Sequence, residues 1–196
     1  MFTGIIEALG KVEKLETEQD NLHIYCSCTF TSELKIDQSL AHNGVCLTVV
    51  EIKNNIYKVT AIKETLDKTN LSSLKVNDVV NLERCMPANG RFDGHIVQGH
   101  IDQTATCIEY KELNGSWMYA FKYDTNKGNI TVEKGSITIN GVSLTVVNSN
   151  SDSFSVCIIP YTHEHTNFKN IKEGSIVNLE FDIVGKYVAR LLSKQN

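Results

Sequence analysis

The chain has 196 residues, 41% of them hydrophobic and 21% charged, with two prolines and 19 Lys+Arg against 23 Asp+Glu for a formal net charge of -4. That length allows one large domain or two small ones able to bury roughly 70% of the unfolded surface, which excludes a disordered chain. The weak negative balance, without a like-charge block, leaves no electrostatic footprint for nucleic acid or an anionic membrane, so neither is an expected partner and a small neutral ligand fits better.

Read in chain order, Met1-Phe2-Thr3-Gly4-Ile5-Ile6-Glu7 lacks the basic region and apolar run of a signal peptide. No stretch reaches the ~20 apolar residues of a membrane helix, so the expected compartment is the cytosol. Cys26 and Cys28 alternate onto one strand face, and Cys46, Cys85, Cys107 and Cys157 add no disulfide-like spacing. Without C-x-x-C or H-x-x-x-H, and with only the weak pair His163 and His165, no metal site is expected. Asn43-Gly44 suits the positive φ of a two-residue hairpin turn, and Asn54-Asn55 sits between the strand-like runs Val49 to Lys53 and Ile56 to Ala61. Asn140-Gly141 repeats the first turn, and Val146 to Asn148 and Phe154 to Ile159 flank a polar stretch as a further hairpin. Several short strands within about 95 residues suggest a small closed barrel. Trp117 is expected in the core of the second half. At the end, Ile183, Val184, Tyr187, Val188, Leu191 and Leu192 recur at helical spacing as one apolar stripe, which packs either on a partner chain or within its own.

The chain also contains itself twice. Ser39 to Val50 matches Ser136 to Val147 at an offset of 97, and at the same offset Thr69-Asn70 falls on Thr166-Asn167 and Asn81-Leu82-Glu83 on Asn178-Leu179-Glu180. Upstream the register slips by two, so Gly4-Ile5-Ile6-Glu7 falls on Gly99-His100-Ile101-Asp102, and the halves meet near Gly94 to Ile96. Two matched folds offer two matched pockets for one ligand, although duplication alone would also build a larger stable protein. The halves differ where Cys46 faces Ser143 and Ile5 faces His100. Such asymmetry suits an enzyme that reacts a substrate with itself, since aligning two bound copies removes entropy amounting to ~7 to 11 kcal/mol of barrier.

Met1 to Glu7, Ser39 to Thr48, Lys63-Glu64-Thr65 and Gly94-His95-Ile96-Val97-Gln98-Gly99-His100-Ile101-Asp102 together resemble the riboflavin synthase family of alpha-chain, lumazine-binding repeat type, over nearly the whole chain. The resemblance implies an all-β fold of two homologous six-stranded Greek-key β-barrels in tandem plus a C-terminal α-helix. The corresponding domains are 1–95, 96–182 and 183–196, the last a trimerisation helix. It further implies a homotrimer in which two molecules of 6,7-dimethyl-8-ribityllumazine undergo dismutation by four-carbon transfer, without metal or redox cofactor. The reactive site lies between the N-terminal barrel of one subunit and the C-terminal barrel of its neighbour, and lumazine synthase is a candidate partner.

Carried over by position, the first pocket takes Gly4, Ile5 and Ile6, then Cys46, Leu47 and Thr48, then Thr60, Ala61, Ile62, Lys63, Glu64 and Thr65. The second takes Gly99, His100 and Ile101, then Ser143, Leu144 and Thr145, then Cys157, Ile158, Ile159, Pro160, Tyr161 and Thr162, with Lys134 reaching an adjacent subunit's pocket. His100 is the candidate for proton transfer or else a structural histidine. Cys46 is a thiolate nucleophile, a polar contact that orients the ligand, or a buried small apolar residue. Ser39 is a source of hydroxyl or water for addition at C7, or a turn-adjacent surface residue, and its recurrence as Ser136 weakens a unique role. Phe2 is an apolar flap over the ligand ring or a frayed end. His42, His95, His163 and His165 are expected to be structural or exposed. Two positions depart from the family's pattern: Asp93 precedes Gly94, and Tyr161 stands opposite Glu64. A non-catalytic lumazine or flavin antenna of the same fold is the main rival. A flavin oxidoreductase would need a G-x-G-x-x-G dinucleotide segment that the chain lacks.

Overall fold

The computed structural model describes residues 1–193, so the last three residues of the expected segment 183–196 lie outside the described residues. The first half runs β1 (Ala8–Glu18), β2 (Asn21–Ser27), β3 (Ser39–His42), β4 (Val45–Lys53), β5 (Ile56–Ala61), a short helix α1 (Lys63–Lys68) and β6 (Val79–Arg84). The second repeats this as β7 (Gln103–Leu113), β8 (Ser116–Tyr123), β9 (Ser136–Ile139), β10 (Val142–Val147), β11 (Ser153–Ile158), α2 (Pro160–His165) and β12 (Ile176–Phe181), and α3 (Ile183–Leu192) follows.

These strands arise from simple alternation. In β5, Tyr57, Val59 and Ala61 are buried while Ile56, Lys58 and Thr60 lie on the other face, the period of two that a half-buried strand requires. Both predicted Asn-Gly turns carry positive φ at each central residue, Asn43 at 46° and Gly44 at 79°, Asn140 at 47° and Gly141 at 82°. Asn54 and Asn55, at 50° and 61°, close the β4–β5 hairpin in the same way. Hydrogen-bonded neighbours run β1-β2-β5-β4-β3-β6 around one closed barrel, and β7-β8-β11-β10-β9-β12 around the other. The sequence therefore predicts the fold class correctly: two six-stranded antiparallel barrels in tandem and a C-terminal helix. Register shifts between Val12 and Lys14, Val49 and Glu51, and Cys107 and Glu109 are the bulges that let such short sheets curl shut.

Each barrel has its own core. The first packs Val12, Ile24, Leu40, Val49, Tyr57 and Val59. The second is more aromatic, with Tyr119, Phe121, Phe154, Phe168 and Phe181, and Trp117 packs against it from a partly buried position. A small third cluster of Phe2, Ala41 and Val97 lies apart from both cores, with Cys46 and Cys85 against it.

Between the barrels lies a polar seam. Asn81 donates from Nδ2 to the Asn140 carbonyl (2.9 Å) and to Asn167 Oδ1 (2.9 Å), and accepts from the Asn167 N–H (2.7 Å). Asn178 mirrors it, donating to the Asn43 carbonyl (2.9 Å) and to Asn70 Oδ1 (2.9 Å), and accepting from the Asn70 N–H (2.7 Å). Asn167 Nδ2 completes the set on Asn43 Oδ1 (2.9 Å), as Asn70 Nδ2 does on Asn140 Oδ1 (3.2 Å). Gly44 and Gly141 face each other here: a Cβ on either would come within 2.8 Å of the other's backbone nitrogen. The Asn-Gly turns are thus both hairpin turns and the contact point of the two halves.

The helix α3 is capped by Asp182, whose carboxylate accepts from the Val184 N–H (3.0 Å). Val184, Tyr187, Val188, Leu191 and Leu192 remain half to two-thirds exposed among the described residues. A groove of about 720 Å³ runs between this helix and the segment from Gly128 to Ser136.

Two outcomes follow from the packing. Asn81→Ala strips partners from the Asn140 carbonyl and from both the N–H and Oδ1 of Asn167, and should cost about 3 to 5 kcal/mol in urea unfolding, because unpaired buried polar groups cost ~1–3 kcal/mol each. A loss below about 1 kcal/mol would mean that the seam does not hold the halves together. His42 is fully buried against the Leu40 carbonyl and the Tyr57 hydroxyl, and burial pushes its imidazole down to about 4. A histidine depressed in the folded state stabilises above its unfolded value near ~6.5 and loses that contribution as pH falls towards 4, here about 3 kcal/mol. Burial raises the Glu83 and Glu180 carboxyls, whose contributions have the opposite sign and decline as pH rises. The difference in pH slope between wild type and His42→Gln, measured by urea unfolding from pH 7.5 to 4, isolates the histidine.

Candidate active site

The site begins with two buried carboxylates near the ends of β6 and β12. Glu83 accepts from the Thr3 N–H (2.6 Å), the Thr3 hydroxyl (3.0 Å) and the Gly4 N–H (3.0 Å). Glu180 accepts from the N–H groups of Gln98 (2.6 Å), Gly99 (2.9 Å) and His100 (2.8 Å). Each carboxylate therefore moors the segment that leads into its own barrel, in the matched register Gly4 to Gly99. Burial pushes both carboxyls up, and the backbone N–H groups pull in the other direction.

From these moorings each segment crosses to the other barrel. Gly4 accepts at its carbonyl from the Ser143 N–H (2.8 Å), and Gly99 from the Cys46 N–H (2.9 Å). Ile6 packs against the second core and Ile101 against the first. Both glycines sit at φ 81°, and an added Cβ would lie 2.6 Å from the Cβ of Ser143 or of Cys46. The grouping carried over from the resemblance puts Gly4, Ile5 and Ile6 with Cys46 and Gly99, His100 and Ile101 with Ser143; the backbone hydrogen bonds between these segments run crosswise to it. The pairing is crosswise because the abutting Asn-Gly turns bring the starts of β4 and β10 to the seam. There, each strand's free N–H is met by the leading segment of the opposite repeat.

Cys46, Leu47 and Thr48 therefore lie beside Gly99, His100 and Ile101. Ser39 lies opposite Thr48 in the β3–β4 ladder. Burial raises the Cys46 thiol, and a hydrogen bond from Ser39 opposes the rise. That environment favours a neutral thiol over a resting thiolate. Leu47 points into the barrel core. His100 is exposed at the side chain while its backbone is fixed by Glu180. The structure thus brings Ser39, Cys46 and the His100 segment together on one side of the seam. Thr60 and Ala61 end β5, Ile62 follows, and Lys63, Glu64 and Thr65 open α1, where Lys63–Asp67 and Lys68–Glu64 ion pairs brace the helix.

On the other side Gly4, Ile5 and Ile6 lie beside Ser143, Leu144 and Thr145. Cys157 is exposed, Ile158 is buried, and Ile159 and Tyr161 are largely exposed, with Pro160 and Thr162 in α2. Tyr161 stacks on His165 at 4.1 Å and Trp117 on His163 at 3.9 Å, so both α2 histidines carry aromatic faces. Lys134 takes a positive φ of 63° in the turn before β9. The cluster that sequence reasoning missed is His95, whose Nδ1 lies 2.7 Å from Ser143 Oγ and whose Nε2 lies 3.1 Å from Thr138 Oγ1. Burial lowers its basicity, and Asp182 opposes that effect. No repeat-based signal pointed to it, because the register that matches Gly4 with Gly99 leaves His95 without a counterpart.

Phe2 is not a frayed end: it is fully buried and exchanges backbone hydrogen bonds with Val97 at 2.8 and 3.1 Å. Among the described residues no group of three or more His, Cys, Asp or Glu is placed to hold a metal ion. What the arrangement offers on each side of the seam is a set of backbone N–H and C=O groups, hydroxyls and one distinguishing side chain.

The lumazine binding domain model matches twice, over residues 3–85 and 98–182. The riboflavin synthase of Actinobacillus pleuropneumoniae is 45% identical over 196 residues, covering 100% of this chain and 91% of the relative. That of Bacillus subtilis is 40% identical over 197 residues, covering 100% and 92%. Among solved structures, LumP complexed with 6,7-dimethyl-8-(1'-D-ribityl) lumazine superposes with a TM-score of 0.84 at 23% identity, over 92% of this chain and 99% of that one, a likeness of fold.

Proposed function

We propose that this chain, which belongs to the lumazine binding domain family, catalyses the dismutation of two molecules of 6,7-dimethyl-8-ribityllumazine to riboflavin and 5-amino-6-ribitylaminouracil. The observation that carries this reading is the pair of matched, crosswise-built sites whose scaffold is equal and whose chemistry is not. Cys46 and the His100 segment stand on one side, and Ser143 with His95 on the other. Curated riboflavin synthases that match the whole chain support the enzyme over a LumP-like binding protein, which is similar at lower identity.

In the reaction one lumazine gives up the four carbons of its methyl-bearing ring edge and becomes the uracil product, and the other takes them up to form the third ring of the flavin. Electrons balance between the two copies, so no outside oxidant is consumed. A methyl proton must leave the acceptor and a nucleophile must add at C7 of the donor. His100, exposed on a backbone clamped by Glu180, is the proton carrier in this reading. Cys46, whose thiol is held neutral by burial, orients the ring and does not attack it. Ser39, whose side chain opposes the rise of that thiol, holds the adding hydroxyl or water. The remaining contacts are those of the two sides described above, with Thr60 to Thr65 and Cys157 to Thr162 closing them.

The domains in this reading are 1–95 and 96–182, one lumazine each, and a C-terminal segment 183–196 that assembles three subunits. The uncovered apolar side chains of α3 support that assembly. Lys134 then serves a neighbour's pocket, and the productive pair of ligands meets between barrels of different subunits. The cytosol is the compartment, and a lumazine synthase that supplies the substrate is a further partner.

Purified protein given only the ribityllumazine should form flavin absorbance, one flavin per two lumazines consumed. Tight retention of the lumazine without flavin would establish the binding protein instead. His100→Ala should slow turnover about 10²-fold or more while weakening ligand retention far less. Equal losses would make His100 a binding residue. Removing the chain after Asp182 should turn the trimer into monomers by sedimentation and abolish flavin formation while each barrel still retains lumazine. A truncated chain that still sediments as a trimer would overturn the role given to α3.

A further inference from the structure

At the rim of the first site lies a chain of groups that the mechanism above does not use. Thr60 and His23 are a cross-strand pair in the β2–β5 ladder, and His23 Nδ1 lies 2.9 Å from Thr60 Oγ1. On its other side His23 Nε2 lies 2.9 Å from Glu18 Oε2, where β1 ends. The imidazole is largely buried while Glu18 is open to solvent. The order carboxylate, imidazole, hydroxyl is fixed by the register of three neighbouring strands, so it does not depend on a loop.

The polarity of this chain follows from its components. A carboxylate only accepts, so Nε2 of His23 is the donor towards Glu18. A neutral ring then presents Nδ1 as an acceptor, and the Thr60 hydroxyl spends its single proton on it. Thr60 Oγ1 is left with lone pairs only. A free threonine hydroxyl would serve a ligand equally as donor or acceptor; this one is locked as an acceptor.

The second barrel has no such device. The pair at the matching place in the β8–β11 ladder is Met118 and Cys157, which cannot form a carboxylate–imidazole–hydroxyl chain. The two sites therefore differ at their rims as well as at Cys46 and Ser143.

We propose that Glu18 and His23 are positioning residues that fix Thr60 as a hydrogen-bond acceptor for an N–H or O–H donor of the ligand in the first site, and so help to make the two copies of one ligand inequivalent. This rests on the reading that Thr60 to Thr65 border that site. Neither His23 nor Glu18 touches the reacting atoms; both act through the threonine.

The test uses the full chain. Ligand affinity is measured by fluorescence with riboflavin and with the ribityllumazine, beside steady-state KM and kcat and the thermal midpoint. Thr60→Val should weaken affinity and raise KM about tenfold, the scale of one hydrogen bond, with a smaller change in kcat. His23→Ala should give the same rise, and the double variant should be no worse than either single one, because both remove the same interaction. Thr60→Ser should recover the affinity lost in Thr60→Val. If Thr60→Val does not fold, Thr60→Cys, which installs the second barrel's residue type, should show the same loss. Affinity within twofold of wild type for Thr60→Val, or losses of His23→Ala and Thr60→Val that multiply, would overturn the proposal. A chain that makes no flavin would instead defeat the catalytic reading, and the riboflavin affinities would still decide the role of the relay.

Discussion

The hydrogen bonds among Asn43, Asn70, Asn81, Asn140, Asn167 and Asn178 are the interaction on which the rest of the structure depends. An amide side chain has both donors and acceptors, so two triads of them can interlock with each other's backbone across a two-fold relation. A purely apolar seam would hold two barrels together without fixing their register, since hydrophobic attraction is not directional. Here a slip of one residue would strand several buried donors and acceptors at once, at ~1–3 kcal/mol each. The seam also requires close approach, which is why glycine stands at 44 and 141, where a Cβ on either would meet the other's backbone.

Once that register is set, the sites follow from it. The turns deliver the first residues of β4 and β10 to the seam with N–H groups that need acceptors, and the crossing segments at Gly4 and Gly99 supply them. The carboxylates Glu83 and Glu180 anchor the other ends of those segments. The start of each barrel's fourth strand is consequently covered by a segment from the other repeat.

Much of this was legible in the residues. Alternation in β5, the Asn-Gly turns and the ungapped offset of 97 identify paired barrels, because period two and positive-φ turns are local properties that survive in any context. Asn43, Asn70, Asn81 and Glu83 were visible as matched positions too, yet their purpose was not, since a repeated residue says nothing about whether its partner lies in its own repeat or the other. The crosswise exchange was lost for that reason. The resemblance groups Gly4 with Cys46, whereas the Gly4 carbonyl is hydrogen-bonded to the Ser143 N–H. His95 was hidden for a different reason: it lies in the junction, where the repeat offers no comparison, and its role depends on two hydroxyls distant in sequence.

A symmetric frame carrying unequal side chains separates two requirements that conflict in most active sites. Binding two copies of one molecule asks for equal shape; assigning them opposite roles asks for unequal chemistry. The seam and the two buried carboxylates keep shape equal because they recur at both halves with the same partners and nearly the same distances. Differences fall at side chains that the frame does not need, among them Cys46 against Ser143, Ile5 against His100 and Thr60 against Cys157. None of these six side chains takes part in the asparagine seam, so changing one alters polarity or proton affinity at a site and leaves the register of the barrels intact. Duplication followed by substitution at such positions gives a route from two identical binding sites to a donor site and an acceptor site, because the frame that fixes geometry and the groups that set chemistry occupy different residues.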